Sequence, residues 1–187
     1  MNSALIILDM VNLFDFEGGK ALATQARKIA PRIDALRQAY TKRGLPVIFV
    51  NDNFLDWNRE FSELVAICGH PGYLGSSIID TLRPEPSDYY VLKPKHSAFL
   101  CTVLPAILSD LKIGHLVLTG IATDSCVLIT AQDAYMRQYE VVVPGDCVAA
   151  QTAARSTTAL KLMRDSMRLD TSSAAAEIKR LGLAKSR

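Results

Sequence analysis

The strongest constraint on the fold of this chain is a series of short apolar segments separated by longer stretches with helical patterns. Five continuous apolar segments stand out, at residues 4–8, 46–50, 89–92, 115–119 and 140–143. None of them alternates apolar with polar residues, and such runs are typical of strands buried on both faces of a sheet. A weaker sixth segment lies near residues 167–170. The pattern predicts a mainly parallel sheet of about six strands.

Helical patterns fill the intervals between these segments. We expect helices at about residues 20–43, 57–67, 101–112, 124–138, 151–166 and 173–182. Pro31 predicts a break or kink in the first helix, and Gly44 predicts its end. The glycines and prolines of residues 68–88 predict a long loop. Strands that alternate with helices indicate an α/β fold, here a three-layer α/β/α, Rossmann-like arrangement in a single domain over residues 1–187.

The composition argues against several classes of function. The chain of 187 residues carries 21 basic and 19 acidic side chains, and a net charge of +2 gives no strong field for nucleic acid. The apolar segment at residues 3–8 is too short for a membrane span and has no basic segment before it, unlike a signal peptide. Neither a G-x-G-x-x-G nor a G-K-[ST] motif is present. We expect a cytoplasmic protein that binds neither nucleic acid nor membrane.

The cysteines point to a reducing compartment, because the four of them show no C-x-x-C spacing and do not suggest a disulfide framework. Three are interpreted as structural or incidental: Cys68, Cys101 and Cys147. The fourth, Cys126, lies in the segment HLVLTGIATDSC at residues 115–126. That segment predicts a strand, a sharp turn at residues 120–123 and a helix that begins at Asp124.

Cys126 therefore falls in the first turn of a predicted helix. Unpaired backbone N–H groups and the positive end of the helix dipole meet there, so the thiol should ionise more easily than usual. The same N–H groups are suited to hold an oxyanion after the sulfur attacks a carbonyl. This strand–turn–helix arrangement is the thiol counterpart of the serine nucleophile elbow of hydrolases.

Two further polar residues follow predicted strands. Asp9 follows the first strand and Lys93 follows the third, and ligands of open α/β sheets bind beyond the carboxyl ends of the strands. Taken singly, Asp9 reads as a loop or cap residue, Lys93 as a solvated side chain and Cys126 as a buried apolar residue. Their convergence at one edge of the sheet favours a catalytic site.

The chain resembles the isochorismatase-like cysteine hydrolase family, which includes nicotinamidases and N-carbamoylsarcosine amidases. Three segments carry the resemblance: ALIILDMVNLF at 4–14, LKPKHSAFLCTVL at 92–104, and residues 116–150 around TGIATDSC. Their order and spacing agree with the family over about residues 4–170. The resemblance implies that Asp9, Lys93 and Cys126 form a catalytic triad that works through a covalent acyl-enzyme.

The resemblance also implies a role for each residue. Asp9 is expected to act as general base and then acid, with Lys93 as its electrostatic partner and Cys126 as the nucleophile. The backbone N–H groups of Ala122 and Cys126 are expected to form the oxyanion hole, and the bond between Ile121 and Ala122 to be a cis peptide. The family pattern of a lysine, two variable residues and an aromatic residue before Ser-Ala-Phe selects Lys93 over Lys95.

His96 stands where the family usually has tyrosine. Two interpretations of this departure remain open, a reshaped pocket or an exposed loop histidine. Beyond the triad, candidates for substrate contacts are Phe14, Asp52, Asn53, Trp57 and Ile121. Phe54 and Trp57 follow the second strand, and core packing is as good an explanation for them as a pocket wall.

A catalytic metal is not expected. Nicotinamidases of this family resemble one another in an Asp-x-His sequence after the second strand, whereas this chain has NDNF at residues 51–54. His70 is the nearest histidine, and one histidine with one aspartate does not reach the usual three protein ligands. We therefore predict neither metal nor cofactor.

The sequence thus predicts a metal-independent cysteine hydrolase of a small amide, carbamoyl or ureido compound. Two alternatives remain open: a vinyl ether hydrolase of the isochorismatase type, and a non-catalytic binding module on the same fold. The resemblance further implies a homodimer or a larger homo-oligomer, with a small molecule as the substrate.

Overall fold

A parallel β-sheet forms the centre of the molecule. A computed structural model of the chain describes residues 2–54 and 58–183. The strands in this part of the chain are β1 Ser3–Leu8, β2 Val47–Asp52, β3 Tyr89–Lys93, β4 His115–Ile121, β5 Glu140–Val142 and β6 Val148–Ala149. They lie in the order β3-β2-β1-β4-β5, all parallel, and β6 pairs with the end of β4.

The strand order reverses between β1 and β4. The chain builds β1, β2 and β3 outward in one direction, and then returns to place β4 on the free side of β1. Leu8 at the end of β1 lies opposite Gly120 in β4. Such a switch point leaves a crevice at the carboxyl ends of the two central strands, where ligands of this fold class bind.

Helices cover both faces of the sheet. In the described residues they are α1 Gly19–Thr41, α2 Phe61–Cys68, α3 Ser76–Leu82, α4 Leu104–Asp110, α5 Leu128–Met136, α6 Ala153–Met167 and α7 Ala174–Leu183. Buried side chains of α1, α2, α3 and α7 pack together on one face, and those of α4, α5 and α6 pack on the other. The predicted three-layer α/β/α class with a parallel sheet of six strands is confirmed.

The continuous apolar run of β1 follows from this two-sided burial. Leu5 and Ile7 pack into one helical layer. The alternate residues Ala4, Ile6 and Leu8 pack into the other. All five side chains are fully buried. Burying a large aliphatic side chain contributes about 1.5–3 kcal/mol, so β1 is a principal anchor of both layers.

Two predictions about the elements are wrong. The predicted loop at residues 68–88 contains α3, whose Ile78, Ile79 and Leu82 are buried in the same cluster as α1. The sixth strand is β6 and not the segment near 167–170, where Asp170 only forms an isolated bridge with Val142. A strand of two residues such as β6 is too short to leave a pattern in the sequence.

Pro31 does not divide the first helix, because α1 runs without interruption past it. Its ring is exposed, while the buried residues Ile29, Ala30 and Ile33 hold the helix on the sheet. The end of α1 agrees with the prediction, since Gly44 follows it with a left-handed φ of 64°. Among the residues that the structure describes, no helix has the length and apolar character to cross a bilayer.

Candidate active site

The strands β1, β3 and β4, which lie within one run of four adjacent strands, deliver the three predicted catalytic side chains to one point. Asp9 is the first residue after β1, with a left-handed φ of 55°, and its N–H donates to the carbonyl of Val50 in β2. Lys93 is the last residue of β3, and Cys126 follows the end of β4. The parallel sheet therefore brings together groups that lie far apart in the sequence.

The Lys93 ammonium links the Asp9 carboxylate to the Cys126 sulfur. Lys93 Nζ lies 3.0 Å from Asp9 Oδ2 and 3.5 Å from Cys126 Sγ. A second carboxylate, Asp52 Oδ2, is 3.9 Å from the same nitrogen. The N–H of Asp52 donates to Asp9 Oδ1 over 2.8 Å, which fixes the orientation of the Asp9 carboxylate. Lys93 is fully buried and Asp9 nearly so.

A turn between β4 and α5 positions the cysteine. The bond between Ile121 and Ala122 is cis, and a π-helical turn follows at Thr123–Val127. The Ala122 carbonyl accepts hydrogen bonds from the N–H groups of Ser125 and Val127. Cys126 therefore lies in this wider turn, which precedes α5, and not in the first turn of an α-helix as the sequence predicted.

A close approach of two backbones supports the turn. Gly120 in β4 has a φ of 105°, and a Cβ atom there would lie 2.1 Å from the carbonyl oxygen of Leu8 in β1. Only glycine allows both this φ and this contact. The two central strands can therefore run side by side up to the residues that carry Asp9 and Cys126.

The Cys126 thiol is harder to ionise than the sequence predicted. Burial raises the pKa of Cys126 to about 12, the Asp9 carboxylate adds to this effect, and the Lys93 ammonium opposes it. The expectation of a readily formed thiolate is wrong, because burial and a neighbouring negative charge outweigh the position after β4. The resting sulfur is a thiol, and it needs a base to become a nucleophile.

The neighbours of Cys126 have shifted pKa values as well. Burial raises the pKa of the Asp9 carboxyl above its usual value, against the opposing effect of Lys93 and of hydrogen bonds from Cys126 and Asp52. A higher pKa makes Asp9 a stronger base. Burial disfavours the charged Lys93, but Asp9, Cys126 and Asp52 outweigh it and raise the Lys93 pKa. Lys93 therefore stays an ammonium beside the sulfur.

A cavity of about 340 Å³ opens beside this group. Its volume suits a small molecule. It is lined by the loops after β1 and β3, by α1, by the ends of β2 and β4, by the π-helical turn and by the residues around the start of α6. The lining residues are Asp9, Asn12, Phe16, Leu22, Asp52, Phe54, His96, Ile121, Ala122, Asp124, Ser125, Cys126, Gln151 and Arg155.

Of the five predicted substrate contacts, two line this cavity, two are buried and do not line it, and one lies outside the described residues. Asp52 and Ile121 line it. Phe14 is buried in the core cluster that includes α1. Asn53 is buried too, and its N–H donates to the Lys93 carbonyl. Trp57 lies outside the described residues.

Sequence reasoning missed the wall of the cavity that α6 provides. The Thr152 side chain caps α6 by accepting from the Arg155 N–H, and both Arg155 and Gln151, the residue before the cap, line the cavity. Arg155 forms an ion pair with Asp124 from the π-helical turn. The segment follows β6, which gave no pattern, so only the capping threonine before a helical stretch signalled it.

His96 contacts the nucleophile directly. Its Nδ1 lies 3.6 Å from Cys126 Sγ and 3.4 Å from Ser125 Oγ, and the residue is exposed at the cavity. Of the two interpretations left open, the structure favours a residue of the pocket. Its neighbour Ser97 instead bonds to Asp133 of α5, which fixes the loop that follows β3.

The described residues do not fit a divalent cation at this site. Asp52 lines the cavity, whereas His70 lies in the turn after α2, with Nδ1 at 2.9 Å from the Pro71 carbonyl. Within residues 2–54 and 58–183, no cluster of three or more His, Cys, Asp or Glu side chains is arranged to hold a metal ion. No chemical step is therefore assigned to a metal.

Sequence comparisons show the family to which the chain belongs. A family model described as "Isochorismatase domain" matches residues 3–175. The isochorismatase family protein YaaI of Bacillus subtilis is 37% identical over 164 residues, which cover 88% of this chain and 90% of that protein. The ureidoacrylate amidohydrolase RutB of Yersinia enterocolitica is 31% identical over 169 residues, 77% of this chain and 74% of that protein.

Two solved structures resemble this chain over most of its length. N-carbamoylsarcosine amidase from Thermoplasma acidophilum superimposes with a TM-score of 0.71 at 30% identity, over 93% of this chain and 97% of that one. The nicotinamidase PncA from Bacillus subtilis superimposes with a TM-score of 0.72 at 29% identity, over 92% and 99%. The chain belongs to the isochorismatase family of hydrolases, and the resemblance noted in the sequence is confirmed.

Proposed function

We propose that the protein hydrolyses the C–N bond of a small amide, carbamoyl or ureido compound through an acyl-enzyme on Cys126. One observation carries this proposal. A single buried ammonium, Lys93 Nζ, contacts both the Asp9 carboxylate at 3.0 Å and the Cys126 sulfur at 3.5 Å, at the wall of a cavity. A nucleophile, a base and an orienting charge are thus within reach of one bound molecule.

The first half of the reaction transfers the acyl group to the enzyme. Asp9 takes the proton of the Cys126 thiol as the sulfur attacks the carbonyl carbon, and the π electron pair of the carbonyl moves to its oxygen. The tetrahedral intermediate then re-forms the carbonyl and expels the nitrogen with the C–N electron pair. Asp9 returns its proton to that nitrogen, so the amine or ammonia leaves neutral and a thioester remains.

Two features stabilise the charges that form. The backbone N–H groups of Ala122 and Cys126 are assigned to the oxyanion, which develops next to the turn that holds the sulfur. Lys93 stabilises the negative charge of Asp9 in the resting site and the charge that develops on the sulfur as the proton moves. Water then attacks the thioester carbonyl, loses a proton to a base of the site, and releases the acid as the C–S bond breaks.

Two relatives and the cavity support the proposed substrate class. RutB is described as acting on ureidoacrylate and the Thermoplasma acidophilum enzyme on N-carbamoylsarcosine, and both names denote a carbonyl between two nitrogen atoms. A cavity of about 340 Å³ with charged Asp124 and Arg155 at its wall accommodates a small polar molecule of this kind. A carbamoyl or ureido compound is therefore the first choice among the amides.

Release of ammonia or amine from a panel of small carbamoyl, ureido and amide compounds tests the proposal. We expect turnover of at least one carbamoyl or ureido compound, and we expect the Cys126→Ala variant to lose it by at least about 10³-fold. Formation of pyruvate from isochorismate, assayed in parallel, tests the vinyl ether alternative. Undiminished C–N hydrolysis in Cys126→Ala, or pyruvate release without any amine release, would overturn the proposal.

A further inference from the structure

The nucleophile has different neighbours on its two sides. From the interior, the fully buried Lys93 reaches Cys126 Sγ at 3.5 Å. From the exposed side, His96 Nδ1 reaches the same sulfur at 3.6 Å. The proposed acyl transfer uses Asp9 as the base and the charge of Lys93 on the buried side, which leaves His96 without a role.

Asp9 approaches the acyl carbon from the buried side of the cavity, opposite to His96. Its residue is 5% exposed, one carboxylate oxygen accepts the Asp52 N–H, and the other faces the Lys93 ammonium. Water reaches the acyl-enzyme from the open cavity, where His96 lies. The acyl carbon is bonded to Sγ itself, so a base 3.6 Å from Sγ is within reach of a water molecule that attacks that carbon.

The other acidic side chains of the cavity have ionic partners. Asp52 faces Lys93 at 3.9 Å, and its other oxygen accepts the N–H of Phe54. Asp124 is paired with Arg155. The Nδ1 atom of the His96 imidazole contacts two uncharged groups, the hydroxyl of Ser125 and the Cys126 thiol.

We propose that His96 is a further catalytic residue, which takes the proton from the water that hydrolyses the acyl-enzyme and then returns it to the sulfur. This inference rests on the function proposed above. The water oxygen forms a bond to the thioester carbon, the carbonyl π pair moves to oxygen, and one water proton passes to His96. The oxyanion then re-forms the carbonyl, the C–S bond breaks, and its electron pair returns to Sγ.

The same histidine completes the cycle. The imidazolium formed in the first step lies against the leaving sulfur and gives its proton to Sγ, which restores the thiol and the neutral ring. Burial makes a free thiolate unfavourable at Cys126, so protonation of the leaving sulfur speeds the breakdown of the intermediate. Acid and product leave, and no oxidant or cofactor is consumed.

A chromogenic ester separates the two half-reactions without knowledge of the natural substrate. p-Nitrophenyl acetate releases p-nitrophenolate when it acylates Cys126, and later turnover requires hydrolysis of the acetyl thioester. For His96→Phe we expect a burst of about one equivalent, a steady-state rate at least about 10-fold below that of the wild type, and an accumulating acetyl adduct on Cys126. His96→Ala should behave alike, and imidazole in the solvent should restore part of its rate.

His70→Phe is the matched control, because His70 is an exposed histidine in the turn after α2 and contacts the Pro71 carbonyl. We expect this variant to match the wild type. An unchanged steady-state rate in His96→Phe, or a slow rate without adduct because acylation itself is impaired, would overturn the role of His96 alone. A wild-type protein that neither releases p-nitrophenolate nor gains an acetyl group would overturn the acyl-enzyme, and the His96 step with it.

Discussion

The reactivity of the Cys126 thiol depends on opposing effects on its pKa. Burial and the Asp9 charge raise the pKa of its thiol, and Lys93 lowers it. The sequence located Asp9, Lys93 and Cys126 because each follows a strand, and parallel strands end at one edge. It did not predict the balance of their charges, because burial of a side chain depends on packing from elements that are distant in the sequence.

Replacement of Asp9 by asparagine separates its effect on the thiol from its role as a base. Asp9→Asn removes the negative charge, so the pKa of Cys126 should fall below about 12 and the thiolate should appear at lower pH. Turnover should nevertheless fall by about 10²–10⁴-fold, because the base is lost. Ultraviolet titration of the thiolate and rates of amide hydrolysis measure the two effects. A raised thiol pKa, or unchanged turnover, would contradict this account.

Lys93→Met tests the ion pair through stability. The variant leaves the Asp9 carboxylate buried without its counter-ion, and loss of one partner of a buried pair costs about 3–5 kcal/mol. We expect urea unfolding to show a decrease of this order in the free energy of unfolding. The double variant Asp9→Asn/Lys93→Met should recover part of it. If the double variant lost as much free energy of unfolding as Lys93→Met, the unpaired Asp9 charge would not be the cause of the loss.

At the scale of elements, the end of β4 and the turn after it set the position of the nucleophile. The segment at residues 115–119 was correctly predicted as a strand, but β4 continues to Ile121 and leads into a π-helical turn. Local propensity distinguishes a π-helical turn poorly from the start of an α-helix. The wall formed by α6 was missed for a related reason, since β6 gains its two pairs with β4 only in the folded sheet.

Gly120→Ala tests the close approach of β1 and β4. The new Cβ would lie 2.1 Å from the Leu8 carbonyl oxygen at a φ of 105°, so we expect a loss of more than about 2 kcal/mol in the free energy of unfolding. Gly114→Ala is the control, because no heavy atom lies within 4 Å of a Cβ there. Urea unfolding of both variants measures the contrast. Equal stabilities would contradict the predicted clash.

Across the whole molecule, a buried polar network joins the far end of the sheet to α7. The Ser3 hydroxyl bonds both Tyr40 in α1 and His115 in β4, at 2.7 Å each. Arg180 of α7 contacts the other ring nitrogen of His115 and pairs with the buried Glu177. The sequence predicted the layers from their periodicity but not this network, whose members come from four separate elements.

The homo-oligomer stays a prediction, and light scattering would test it against the 20.5 kDa mass of one chain.

The network predicts a loss of stability in mild acid. Burial, with the nearby Arg180 charge, lowers the pKa of His115 from 6.5 to about 4. The unfolded chain therefore binds a proton at higher pH than the folded protein does, so this contribution is present above pH 6.5 and declines as the pH falls toward 4. In urea unfolding, the stability of His115→Gln should depend less on pH across that window. Parallel pH dependences of wild type and variant would contradict the assignment.

The most direct test of the central claim is to trap the acyl-enzyme during turnover. The protein is quenched while it hydrolyses a carbamoyl, ureido or amide substrate, digested, and searched by mass spectrometry for the acyl group. Cys101, an exposed free cysteine, provides the control through the Cys101→Ala variant. We predict an adduct on the peptide that contains Cys126 in wild type and Cys101→Ala, and none in Cys126→Ala. Hydrolysis that continues in Cys126→Ala, or an adduct confined to another residue, would contradict the account.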